Sequence, residues 1–123
     1  MDQAYVPPGW PAAVPPPGAP GFERRAVGWL LDLCPPDYRG YPPLTRHPLL
    51  LVRCTARLLA AQRVGTENAI ATLRADLAGY VEPPTVEDGL RVLRAEQQRL
   101  DATMLAVSLV ERVLRGHRFT PKM

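Results

Sequence analysis

Apolar positions in the last third of the chain advance by alternating fours and threes: Val86, Leu90, Leu93, Gln97, Leu100, Met104, Val107, Glu111, Leu114. Only Gln97 and Glu111 interrupt the stripe. Such spacing is a heptad seam on one helix, and a seam needs a second helix to cover it. The pattern predicts a helix over 86–115. Thr85 is the expected cap, Glu87 and Asp88 suit the positive first turn, and Gly116 marks the end.

A second long pattern lies upstream, over 48–78. It begins broadly apolar (Leu49, Leu50, Leu51, Val52, Cys54, Leu58, Leu59) and narrows to one stripe of Ile70, Leu73, Leu77 and Tyr80. Pro48 fits a first turn, Thr45 or His47 stands near the cap, and Gly79 fits a stop. Gly65 lies inside the pattern, where Gly costs about 1 kcal/mol against Ala, so it marks a close contact, a kink or a break. A shorter helix is predicted over 22–33. Phe22, Ala26, Trp29, Leu30 and Leu33 share one of its faces, and Pro35 and Pro36 end it. Residues 35–47 read as a stiff, proline-rich connection.

The short turn 79–84 makes the two long helices antiparallel neighbours. Pairing across it sets Leu73 near Leu93, Thr66 near Leu100, Leu59 near Val107 and Val52 near Leu114. The same register faces Asn68 with Gln97, a polar layer that would fix the alignment. Both long helices broaden at the same physical end, and the short helix enters there. The expected fold is all-α: a long antiparallel helical hairpin, coiled-coil-like, with the short N-terminal helix packed at one end.

Proline changes the reading of the N-terminus. Pro7, Pro8, Pro11, Pro15, Pro16, Pro17 and Pro20 make residues 1–21 an extended arm of polyproline II segments joined by Gly turns. Trp10 is expected to strap this arm to the helical body. Alternatively, the spacings Pro8 to Pro11 and Pro17 to Pro20 engage an aromatic groove elsewhere. The helical domain is expected over 22–116, followed by a basic, frayed C-terminal tail, 117–123.

The net charge is +3, and Lys122 is the only lysine. The arginines fit the codon bias of a GC-rich genome. Read instead as a stripe, they would favour nucleic acid, although acidic residues are interleaved among them. The N-terminus carries no signal-peptide pattern and no apolar run reaches a membrane span, so a soluble, cytoplasmic protein is expected.

Chemistry is sparse. There is no glycine-rich phosphate loop, no GxSxG and no HExxH, and Ser108 stands alone in an apolar helical run. Cys34, His47, Cys54 and His117 fall near one end of the expected fold, but their spacing matches no zinc motif. No catalytic residue, cofactor or metal is assigned, and the chain is not expected to be an enzyme. Trp10, Tyr38, Arg39 and Tyr41 are candidate partner-binding residues, because aromatic and Arg side chains dominate binding surfaces. Packing beneath the arm is the competing explanation. Gln97, on the thinly covered half of the hairpin, is the fifth candidate.

The stretches YVPPGWP (5–11), AVGWLLDLCPPDYRGYP (26–42) and RHPLLLVR (46–53) together resemble small uncharacterised helical proteins of actinobacteria. The resemblance covers most of the chain, arm included, and implies no activity and no functional residue. The function expected is therefore a non-catalytic helical interaction or scaffold protein, binding through coiled-coil faces and self-associating as a homodimer. The alternative is an Arg-mediated nucleic-acid-binding or transcription-associated regulatory protein.

Overall fold

The alternation of fours and threes becomes helix throughout. The computed structural model describes residues 5–122. Residues 1–4 of the expected arm and Met123 of the expected tail lie outside the described residues. Among the described residues every regular element is helical: α1 (Phe22–Asp32), a 3-10 helix (Pro36–Gly40), α2 (Pro42–Arg46), α3 (Pro48–Leu77) and α4 (Pro83–Leu114). The two long helices, α3 and α4, pack closely on each other.

The seam lies where the spacing places it. Val86, Leu90, Leu100 and Val107 are buried, and Leu93, Gln97, Met104, Glu111 and Leu114 are half-buried. On α3 the buried side chains are Leu51, Val52, Thr55 and Leu59. Thr55 is the one buried polar residue of the described core, and its hydroxyl donates to the Leu51 carbonyl at 2.9 Å, so its polarity is satisfied within the helix.

Two clusters make most of the core, toward the end where α3 begins and α4 ends, while Val86 and Leu90 are buried separately near the start of α4. In the larger, Leu30 and Leu31 of α1 meet Leu51, Val52 and Leu59 of α3 and Leu100 and Val107 of α4. In the smaller, Val14 of the arm meets Ala26 of α1 and Val110 of α4, with Trp10, Phe22, Trp29 and Leu114 packed around them. Beyond Leu59 no side chain of α3 is fully buried.

Three local expectations are corrected. The segment 35–47 is not merely a connection, since it holds the 3-10 helix and α2, each with proline at its first turn. There proline starts helices, because its missing N–H would be unpaired at that position anyway. The first residue of α4 is Pro83, its cap is Glu82, and Thr85 lies inside the first turn without capping it. Gly65 neither breaks α3 nor sits against a neighbour: a Cβ there would meet nothing within 4 Å. The close approach between the helices is at Gly89, where a Cβ would stand 3.7 Å from Leu73.

The arm is a chain of tight turns. Trp10 N–H donates to the Pro7 carbonyl at 3.2 Å, Val14 to Pro11 at 3.2 Å, and Ala19 to Pro16 at 3.1 Å. The 7–10 turn sets Pro8 second and Gly9 third with φ 95°, the positions a type II turn assigns to these residues. Gly9 is fixed a second way: a Cβ there would lie 2.7 Å from Leu105 Cδ2. The arm thus runs directly on α4.

Candidate functional site

Cross-helix ion pairs position the α3–α4 surface. Arg53 meets Glu111 at 2.9 Å, Arg63 meets Asp101 at 2.5 Å, and Arg74 grips Glu87 with two bonds of 2.7 and 3.0 Å. The partners run in opposite order along the two helices. Glu87, expected as a dipole-matching residue, is held instead by Arg74, whose hydrogen bond pulls its carboxyl below the usual range. The same contact raises the Arg74 guanidinium. Bonds from Asp101 and Glu96 likewise raise Arg63 and Arg99, and Glu96 is lowered by Arg99.

Glu111 reads as a flaw in the apolar stripe and is in fact a clamp. Its side chain is only 12% exposed and accepts from Arg53 on α3 and from Arg115 one turn onward. Gln97, the other break, is half-buried, while Asn68 is exposed. No hydrogen bond joins the two side chains among the described residues, so the expected polar layer is not made.

The four residues grouped as one surface separate into two places. Trp10 stacks on Phe22 with centroids 6.3 Å apart, meets Phe119 edge-on at 6.4 Å, and donates its indole N–H to the Val14 carbonyl at 2.8 Å. Its polar and apolar parts are both engaged inside the molecule. Tyr38 packs against the larger core cluster, with the Tyr41 ring 6.2 Å away, and Arg39 pairs with Asp32 at the end of α1. Tyr38 also borders a shallow cleft of about 490 Å³ with Arg53, Cys54, Arg57, Leu58 and Ala61.

The tail expected to fray is instead anchored. Phe119 lies between Trp10 and the His117 ring, 4.8 Å away, and the Arg112 guanidinium sits 4.8 Å over its face. Arg112 also donates to His117 Nε2 at 3.0 Å. A lone aromatic among basic residues signals this weakly, since its partner lies almost the whole chain away.

Cys34, His47, Cys54 and His117 do not form one set. Cys34 Sγ lies 3.2 Å from Thr55 Oγ1, and burial pushes its thiol upward despite that bond. His117 faces Arg112 and Phe119, and among the described residues no three His, Cys, Asp or Glu side chains are grouped to hold a metal ion. No helix of the described chain is long and apolar enough to cross a membrane.

Sequence reasoning pointed to the far half of the α3–α4 pair through Gln97 but not to the turn at its tip. Gly79, with φ 81°, turns the chain there, and Tyr80 beside it is 87% exposed. A cleft of about 400 Å³ opens next to it, lined by Arg74, Leu77, Ala78, Gly79, Tyr80, Val81, Glu82, Pro83, Val86 and Glu87. Val64 and Val92 are also well exposed on this half, at 58% and 67%. Comparison of the chain with protein families, with curated proteins and with solved structures finds no match.

Proposed function

We propose that this chain is a non-catalytic interaction protein that acts through the far half of the α3–α4 pair, a coiled-coil-like hairpin, and that it self-associates as a homodimer. The observation that carries the reading is uneven cover. The arm, α1 and α2 all load onto the end where α3 begins. Beyond Leu59 and Leu100 the seam is held by Val86 and Leu90, which are buried, while Ile70, Leu73, Leu77 and Leu93 are only half-buried. A two-helix pair leaves apolar seam partly open to water, and covering it with a second pair removes that cost. Exposed Val64, Val92 and Tyr80 extend the same apolar character outward.

The coiled-coil reading draws support from the heptad spacing and from ion pairs flanking the seam, the arrangement that sets register and partner choice in such assemblies. An Arg-mediated nucleic-acid role would need guanidinium groups free to meet phosphate. Arg53, Arg63, Arg74, Arg91, Arg99 and Arg115 are each held by a carboxylate, while Arg57 and Arg94 of the same pair have none among the described residues, so the basic surface is interrupted rather than continuous. Light scattering across a concentration series tests the proposal. A mass rising toward that of two chains is expected, and a monomer at the highest concentration overturns the homodimer.

A further inference from the structure

The positive charge of the chain is unevenly placed. Residues 22–111 hold 11 basic and 11 acidic side chains, whereas residues 112–123 hold Arg112, Arg115, Arg118 and Lys122 and no acidic side chain. Asp2 is the single acidic residue of the arm. A groove of about 570 Å³ opens where the arm, the end of α4 and the tail meet, a size that accommodates a substantial group. Tyr5, Pro8, Leu109, Phe119 and Pro121 give it apolar walls. Arg112 and Lys122 are its charged residues, and no carboxylate lines it among the described residues. Arg115 is taken by Glu111, but neither Arg112 nor Lys122 meets a carboxylate among the described residues, and both are exposed. His117 Nε2 and the Phe119 ring fix the Arg112 guanidinium in place without supplying a negative charge.

Apolar walls beside two cations that lack a counter-charge call for a ligand with both an apolar group and carboxylates. We propose that the groove binds an extended acidic peptide segment of a partner protein, in which an apolar side chain is flanked on the same face by carboxylates. The apolar side chain sits between the arm and the tail, and the carboxylates meet Arg112 and Lys122. A guanidinium held in one orientation can take a carboxylate with two parallel bonds. Nucleic acid fits the groove less well, because bases need open aromatic faces to stack on. Arg112 covers one face of Phe119, and Trp10 and His117 also pack against that ring. The groove lies at the end of α4, away from the far half of the α3–α4 pair, so the inference goes beyond the homodimer reading and does not rest on it.

Fluorescence anisotropy of a labelled peptide of Glu-Glu-Leu repeats, titrated with the full chain at about 20 mM salt, tests the assignment. In an extended chain this repeat sets a Glu on either side of each Leu on one face. A Kd of about 10–300 µM is expected, weakening as salt rises. Repeats of Glu-Glu-Ser and of Lys-Lys-Leu each lack one half of the match and should bind at least ~5-fold more weakly. Lys122→Glu reverses a groove charge, and Thr120→Glu adds a carboxylate to the lining. Both positions lie beyond the last helix, so circular dichroism should be unchanged. Each variant is expected to weaken binding by at least ~5-fold, while Arg94→Glu, on an exposed part of α4 outside the groove, stays within ~2-fold of wild type. The site is overturned by absence of binding at about 1 mM, by undiminished affinity in Lys122→Glu and Thr120→Glu, or by an equal loss in Arg94→Glu. Equal affinity for the Glu-Glu-Ser repeat overturns it too, as does tighter binding of a single-stranded DNA oligomer that Lys122→Glu weakens.

Discussion

Replacing Trp10 with alanine decides whether that residue is a strap or a docking group. The largely covered ring removes roughly 160 Å² from water, about two-thirds of what a tryptophan buries when fully covered. At about 25 cal/mol per Å² that is about 4 kcal/mol. The stack on Phe22 and the edge contact with Phe119 add about 0.5–1.5 kcal/mol each. The indole bond to the Val14 carbonyl adds about 1 kcal/mol. Release of the arm returns chain entropy and sets a ceiling on the net loss, because the arm lets go before the helices do. The expected net effect is about 3 kcal/mol, at the lower end for truncation of a large aromatic. Urea unfolding followed by circular dichroism reads the loss. Amide exchange at Val14, whose N–H donates to the Pro11 carbonyl, reads release of the arm directly. An unchanged unfolding midpoint together with undiminished protection at Val14 would refute the strap.

Two further outcomes follow from the geometry. Gly9→Ala forces a side chain into a positive-φ turn and against Leu105, which can swing aside because it is half in water; a loss of about 1–2 kcal/mol is expected by urea unfolding. Stability falls in acid. Glu87 and Glu96 are lowered by Arg74 and Arg99, so their contribution is present above the unfolded carboxyl value near 4.5 and is lost as pH drops through the lower folded values. Urea midpoints measured from neutral pH downward should decline in that window, and Glu87→Gln should flatten the decline; an identical profile in the variant contradicts the Arg74 contact.

Much of the all-helical architecture is legible in local spacing. The helix that carries Val86 to Leu114 is read correctly because each apolar position answers to the same question, which face meets a partner. Proline misleads in 35–47, because a run of prolines resembles a breaker, whereas one proline at a first turn is a starter. It also hides Pro83 behind the more familiar cap at Thr85. Glu111 is misread because its clamp needs Arg53, a partner that only the helix register supplies. The candidate surface of Trp10, Tyr38, Arg39 and Tyr41 fails as one group for a similar reason. Where an arm lies on a body is a long-range matter, and no periodicity in 5–21 reports it. Tyr80 is misplaced on the stripe because the spacing of Ile70, Leu73 and Leu77 runs on to it, whereas Gly79 turns the chain just before it and leaves its ring in water.

The contact between Trp10 and Phe119 joins residues from nearly opposite ends of the chain. Closing so long a loop costs entropy that no local contact repays in advance. The α3–α4 pair, linked by a short turn, has no such cost, so it should assemble first and the clasp last. The same order governs opening in the native state. The arm and tail should let go together, as one cooperative unit, well before the paired helices separate. The molecule thus carries its own sequence of events: the arm–tail clasp closes late and opens early, around a pair of helices already in place.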